Sequence, residues 1–145
     1  MSNRNFVIYK SSAGSGKTYT LTREYLKLAF TTENYYKHIL AVTFTNKAMQ
    51  EMKNRIIQKL DEFGQGRFDT MANDLMGHLN LEAKEFQQRS VALLSRILHG
   101  YSHFSISTID SFFQKVIRSF SRELGLAGSY RLELNYDLIL IQIVN

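Results

Sequence analysis

A short apolar run, Phe6 to Lys10, leads into a turn-forming segment of serine, alanine and glycine, Ser11 to Gly16. From Lys17 onward the apolar side chains recur every three or four residues, as they do on one face of a helix. The pattern predicts a buried strand, a tight turn and a helix in direct succession. A chain that opens in this way is typical of α/β folds, in which helices cover a parallel sheet.

Two further strands are predicted downstream. The run from His38 to Phe44 is apolar and β-branched, and polar and apolar residues alternate from Phe104 to Ser107. The chain has 145 residues, of which 44% are hydrophobic, and it contains no proline. These values suit one globular domain with a substantial core.

Helices are predicted between and after these strands, with short ones over 69–79 and 83–98. Ser107 or Thr108 can cap the start of the last helix, and Gly125 can cap its end. The clearest apolar stripes comprise Thr18, Leu21, Tyr25, Leu28 and Ala29; then Ala48, Met52, Ile56, Leu60 and Phe63; and finally Ile109, Phe112, Phe113, Val116, Ile117, Phe120 and Leu124.

The absence of cysteine from the sequence excludes several kinds of site. Without thiols there can be no disulfide scaffold, thiolate zinc site or cysteine nucleophile. The four histidines show no metal-ligand spacing. No apolar run reaches the roughly 18 to 20 residues that span a bilayer. We therefore expect a cytoplasmic protein without a membrane partner.

Charge is distributed unevenly along the chain. The net charge is +5, but residues 1–59 hold 10 basic and 3 acidic side chains, whereas residues 60–145 hold 8 and 10. A basic N-terminal half can attract the phosphates of a nucleotide or of a nucleic acid. The alternative is an ordinary solvated surface.

The segment from Ser11 to Thr18 has the composition of a phosphate-binding loop, apart from serine at its first position. Gly14 and Gly16 permit positive φ angles, so that successive backbone N–H groups can turn toward phosphate oxygens. Lys17 would neutralise the β- and γ-phosphates, and the Thr18 hydroxyl would ligate Mg²⁺. The alternative is a serine- and glycine-rich loop with an incidental lysine.

Polar and aromatic residues follow the second predicted strand. Ligands of open parallel sheets bind outside the carboxyl ends of the strands, so Thr43 to Lys47 should lie at the same edge as the glycine loop. Hydroxyls, amides and ammonium groups hold phosphates, and an aromatic ring such as that of Phe44 can stack on a base. The alternative places Phe44 in the core and Lys47 on a solvated surface.

Three segments together resemble the UvrD/RecB-like superfamily 1 DNA helicases in order and spacing. They are Ser12 to Thr18, Leu40 to Ala48 and Ser107 to Phe113, which correspond to motifs I, Ia and Ib of that family. The resemblance implies a P-loop NTPase domain with a RecA-like parallel sheet flanked by helices. It also implies ATP and Mg²⁺ as cofactors and single-stranded DNA as a partner.

The resemblance also implies roles for individual residues. Lys17 and Thr18 would be the catalytic residues, with Thr18 holding the metal. Asp110 departs from the family, because many members have histidine there and an ionised carboxylate repels phosphate. ATP would be bound by Ser12, Ala13, Gly14, Ser15, Gly16, Lys17 and Thr18, and DNA by Phe44, Thr45, Asn46, Lys47, Thr108 and Ser111.

Later family motifs are missing from the sequence, among them the acidic Walker B pair and the arginine finger. The chain ends within an apolar run, Leu138 to Val144. We therefore expect an N-terminal piece of a longer helicase: an incomplete RecA-like domain at 1–125, with a helical insertion at about 69–99, and the start of another subdomain at 126–145. Such a piece would bind nucleotide without hydrolysing it, and its partner would be the rest of the helicase or a nuclease subunit.

Two other functions remain open from the residues alone. The chain could be a non-catalytic module that binds nucleic acid or a protein partner through its basic half. A small nucleotide kinase would share the phosphate-binding loop, but it would need an arginine-rich lid, and residues 60–105 contain only Arg67, Arg89 and Arg96.

Overall fold

The computed structural model describes residues 7–9 and 16–123. These residues form an α/β arrangement dominated by helices, which confirms the predicted fold class at that level. Two single 3₁₀ turns, Tyr35–His38 and Tyr101–His103, each precede a strand. The regular elements are α1 (Lys17–Ala29), β1 (Ala41–Thr43), α2 (Asn46–Gly64), α3 (Thr70–Leu79), α4 (Ala83–His99), β2 (Ile106–Thr108) and α5 (Ile109–Glu123).

The two strands pair in parallel, as predicted, with Ala41 opposite Ile106 and Thr43 opposite Thr108. Both strands are shorter than the runs that predicted them. All three residues of β2 are buried, although alternation had predicted one exposed face. Strands of parallel sheets are covered on both sides, and here α2 and α5 both pack against β2.

The core lies among α1, α2, α3 and α4, each of which contributes buried apolar side chains. The predicted stripe of α2 is confirmed at Met52, Ile56, Leu60 and Phe63, all of which are buried. The Phe86 ring of α4 lies 5.3 Å from the ring of Phe63, measured between centroids. The stretches expected at 69–79 and 83–98 are confirmed as α3 and α4.

The predicted buried face of α1 is confirmed at Tyr25 and Ala29, but the observed face is rotated away from the predicted one at other positions. Leu21 and Leu28 are 49% and 44% exposed, whereas Thr22 and Leu26 are fully buried. Thr22 can be buried because its hydroxyl donates a hydrogen bond to the Thr18 carbonyl at 2.7 Å. The residues predicted to be buried on α1 and those that are buried both recur at helical spacing. Periodicity alone therefore could not show which set is buried.

The predicted first strand is wrong for Val7, Ile8 and Tyr9. These residues have no regular structure, and their side chains are more than half exposed. A parallel strand needs a neighbouring strand, and within the described residues only β1 and β2 pair with each other. The remainder of that prediction, at Phe6 and Lys10, lies outside the described residues.

The last helix is amphipathic as predicted, but much of its apolar stripe faces outward. Phe113, Ile117 and Phe120 are 55%, 40% and 60% exposed, because no element among residues 7–9 and 16–123 covers this face of α5. The predicted positions Leu124 and Gly125 and the subdomain expected at 126–145 lie outside the described residues. Over the described part of the chain, no helix combines the length and the apolar character needed to cross a membrane.

Candidate nucleotide and nucleic-acid site

The described part of the predicted phosphate-binding loop is its junction with α1. Gly16 has a φ of +81°, a left-handed conformation that favours glycine, so the predicted need for glycine is confirmed here. Lys17 is exposed and Thr18 is half-buried in the first turn of the helix. The predicted loop residues Ser12, Ala13, Gly14 and Ser15 lie outside the described residues.

This junction has the features that a bound phosphate requires. Among residues 7–9 and 16–123, no side chain caps the N-terminus of α1, and the first turn of this helix contains no acidic residue. The backbone N–H groups of that turn are therefore not matched by a carboxylate, and the helix dipole favours an anion there. An ammonium group and a hydroxyl at a helix N-terminus are the kinds of group that bind phosphate and Mg²⁺, and the roles of Lys17 and Thr18 stay predictions.

The carboxyl edge of the sheet brings together residues that are far apart in sequence. Thr43 and Thr108 are register partners at the ends of β1 and β2, so the segments after them begin side by side. Each segment starts a helix that a threonine caps. The Thr45 hydroxyl accepts the Ala48 N–H at 3.1 Å, and the Thr108 hydroxyl accepts the Ser111 N–H at 3.2 Å. The predicted cap at Thr108 is confirmed.

Phe44 stands out at this edge because its side chain is 86% exposed. The interpretation that placed it in the core is wrong. Asn46 and Lys47 are also exposed, in the first turn of α2. An aromatic ring, an amide and an ammonium group thus face solvent beside a helix N-terminus, a combination that suits a single nucleic-acid strand.

Thr108 and Ser111 occupy different environments from Phe44. Thr108 is 6% exposed, and its hydroxyl also donates to the Ser111 hydroxyl at 2.9 Å. Thr108 therefore positions the start of α5, and a direct contact with DNA stays a prediction. Asp110 is exposed in the first turn of α5, where the helix dipole favours a carboxylate.

An ion-pair network that the sequence pattern did not predict joins the last turns of α2 to the start of α3. Lys59 donates to Glu62 at 2.6 Å and to Asp69 at 2.9 Å. Burial alone would lower the pKa of Lys59, but these hydrogen bonds outweigh it and raise the pKa. The i,i+3 spacing of Lys59 and Glu62 could have revealed one half of the network. No local pattern could have revealed the bond to Asp69.

Comparison with known proteins gives the family. The model of the UvrD/REP helicase N-terminal domain matches residues 2–142. The chain belongs to this helicase family. The match confirms the resemblance to UvrD/RecB-like helicases that the three motifs indicated. The parallel pairing of β1 and β2 is consistent with part of a helicase domain.

Curated relatives of this helicase chain are much longer proteins. An ATP-dependent helicase/nuclease subunit of Bacillus cereus (strain AH820) is 30% identical over 134 residues, which cover 91% of this chain and 9% of the relative. The protein of the same name from Bacillus cytotoxicus is 32% identical over 128 residues, which cover 87% and 9%. The chain thus spans about 9% of the length of these relatives. No solved structure matches the chain.

Proposed function

We propose that this chain is the ATP-binding, RecA-like portion of a cytoplasmic ATP-dependent DNA helicase that moves along single-stranded DNA in repair or recombination. Membership in the UvrD/REP helicase family supports the helicase activity. The observation that carries the DNA-binding part is the 86% exposure of Phe44 at the carboxyl end of β1.

The position of Phe44 is held by its neighbours. Thr43 donates its hydroxyl hydrogen to the Thr45 carbonyl at 3.1 Å, and Thr45 caps α2. The backbone on both sides of Phe44 is thereby fixed, so the ring is presented to solvent at little further entropic cost. A base stacked on this ring would bring its phosphate toward Lys47 and the N-terminus of α2.

Nucleotide would be held at the start of α1. The Lys17 ammonium would bind the phosphates, Thr18 would bind Mg²⁺, and Gly16 allows the backbone to approach closely. Bound ATP would supply the free energy for movement along DNA. In the proposed helicase, alternating grips on the strand, one of them through Phe44 and Lys47, would convert that free energy into translocation.

Hydrolysis would require residues from outside this chain. The sequence lacks an acidic pair after an apolar strand, and such a group orients the attacking water in this type of reaction. We propose that the isolated chain binds ATP without hydrolysing it, and that the rest of the helicase or a nuclease partner subunit completes the site. The Bacillus relatives carry the name of a helicase/nuclease subunit, which supports such a partner.

Fluorescence anisotropy with labelled oligothymidylate tests the DNA-binding proposal. Phe44→Ala should weaken binding by roughly 5- to 100-fold, because stacking on one ring is worth roughly 1 to 3 kcal/mol. Phe113→Ala is the matched control, since Phe113 is also exposed, at 55%, but lies on α5. Equal affinities for the two variants would remove Phe44 from the proposed site.

A non-catalytic binding module is the second candidate, because the exposed ring and the basic half of the chain would serve it equally well. Calorimetry with ATP·Mg²⁺ separates the two, since such a module has no need for nucleotide. Family membership does not support the small nucleotide kinase.

A further inference from the structure

The end of the sheet opposite Phe44 carries a second group of polar side chains, all exposed except the half-buried Lys53. The 3₁₀ turn Tyr35–His38 precedes β1 and the turn Tyr101–His103 precedes β2, so parallel pairing of the strands places both turns at the same end. We call five side chains from these turns and from α2 the amino-end patch. They are Lys37, His38, Lys53, Tyr101 and His103.

The amino-end patch is basic and is not neutralised locally. Among the residues that the structure describes, none of its five side chains forms an ion pair. Glu33, the acidic residue just before the first turn, has its carboxylate 3.8 Å from the guanidinium of Arg96. An anion approaching the patch would therefore meet uncompensated positive charge.

The two turns are fastened together beneath this charge. Tyr36 is 1% exposed, and its hydroxyl donates to the Arg96 carbonyl at 3.0 Å. The contact is tight at Gly100, where an added Cβ would lie 2.8 Å from the Tyr36 hydroxyl oxygen. Lys37 and Tyr101, which are adjacent to these residues in sequence, therefore stand on a rigid base.

The Tyr101 ring of the patch is partly covered and 42% exposed, whereas Phe44 is 86% exposed. The Lys53 ammonium lies 5.1 Å from the centroid of the Tyr101 ring. The Phe104 ring packs against Tyr101 with centroids 5.8 Å apart. Cation–π contact and ring packing cover part of the Tyr101 ring, and the patch offers ammonium groups, ring nitrogens and a hydroxyl to an anion.

We propose that the amino-end patch binds the phosphate backbone of duplex DNA, at a surface separate from the single-strand site; the proposal rests on the helicase function proposed above. Lysine and tyrosine side chains are groups that contact phosphates without reading sequence. A duplex keeps its bases stacked inside and presents its phosphates outward, so the ammonium and hydroxyl groups of the patch can hold it without stacking on a ring. The cores of protein interfaces are depleted in lysine, which disfavours an acidic protein as the partner.

A salt series with a labelled duplex of random sequence tests this proposal in the full 145-residue chain. Each phosphate neutralised on duplex DNA contributes about 0.9 to the slope of log K against log salt concentration. Lys37→Ala and Lys53→Ala should each lower the slope by about 0.9 and weaken binding roughly tenfold at 50 mM salt. Lys53→Arg should retain binding, because arginine also lies well on an aromatic ring.

Lys84→Ala is the matched control, since Lys84 is exposed in the first turn of α4, about 22 Å along that helix from its end beside the patch. If Lys37→Ala and Lys53→Ala both bind the duplex as tightly as Lys84→Ala does, the proposal is wrong. A polyglutamate peptide that displaces the duplex at equal charge concentration would also overturn it, and would assign the surface to an acidic protein.

Phe44→Ala separates the two DNA proposals. It should weaken oligothymidylate binding and leave duplex binding unchanged, whereas Lys37→Ala should do the reverse. If Phe44→Ala has no effect on either probe while Lys37→Ala weakens duplex binding, the single-strand site fails and the amino-end patch stands. If Phe44→Ala weakens duplex binding as strongly as Lys37→Ala does, the patch is not a separate surface and the proposal is wrong.

Discussion

Asp69 performs two tasks at the start of α3, and substitutions can separate them. Its Oδ1 accepts the Ala72 N–H at 2.9 Å and so caps the helix. Its Oδ2 accepts a hydrogen bond from the Lys59 ammonium at 2.9 Å, which joins α3 to α2. The same helix, α2, carries Lys47 of the proposed DNA site in its first turn.

The expected losses follow from these contacts. Removing an N-cap costs about 1 kcal/mol of the free energy of unfolding. A charge-assisted hydrogen bond contributes about 1.5 to 3 kcal/mol when buried, but the Asp69 side chain is 40% exposed, so solvent reduces this to about 1 kcal/mol. Asp69→Ala should therefore lose about 2 kcal/mol. Asp69→Asn keeps an oxygen for the cap and should lose about 1 kcal/mol.

The difference between wild type and Asp69→Asn should depend on pH. Burial alone would raise the pKa of Asp69, but the hydrogen bonds from Lys59 and the Ala72 N–H outweigh it, so the pKa lies below its ordinary value. A carboxylate with a lowered pKa stabilises the fold above its ordinary pKa, and this stabilisation is lost as the pH falls through the lowered value. The difference should be full at pH 7 and should close in strong acid.

Urea unfolding followed by circular dichroism measures these free energies. Asp74→Asn is the control, because it removes a more exposed carboxylate of α3, 3.4 Å from Arg23, and should lose about 0.5 kcal/mol or less. Equal losses for Asp69→Ala and Asp69→Asn would show that the cap contributes nothing. A difference between wild type and Asp69→Asn that is as large in strong acid as at pH 7 would show that the ion pair is not its origin.

Three further outcomes concern nucleotide and DNA. Lys17→Ala should weaken ATP·Mg²⁺ binding by at least tenfold in calorimetry, since a charge-assisted bond to phosphate contributes about 1.5 to 3 kcal/mol, and equal affinities would refute the role assigned to Lys17. The isolated chain should release no phosphate above background even with DNA, whereas steady release that Lys17→Ala abolishes would reveal a catalytic base within the chain. Lys47→Ala should lower the salt slope for oligothymidylate by about 0.7, while Phe44→Ala should leave that slope unchanged.

Local features of this protein were readable from the sequence because their causes act within a few residues. The period of Met52, Ile56 and Leu60 predicted the buried stripe of α2, which the structure confirms. Thr108 was recognisable as a cap because a threonine hydroxyl reaches an N–H three residues later. The order and spacing of three motifs indicated a helicase family that the family model confirms.

Burial and distant contacts were decided only when the elements met. The sequence could not choose which of two helical faces of α1 is buried, nor show that Phe44 faces solvent. The contact of Lys53 with Tyr101 and that of Lys59 with Asp69 join separate elements, so no local pattern encodes them. Periodicity is a property of one helix or strand, whereas exposure depends on which neighbours cover it. For this reason the sequence determined the helices, the cap of α5 and the family, and the tertiary structure decided which side chains are exposed.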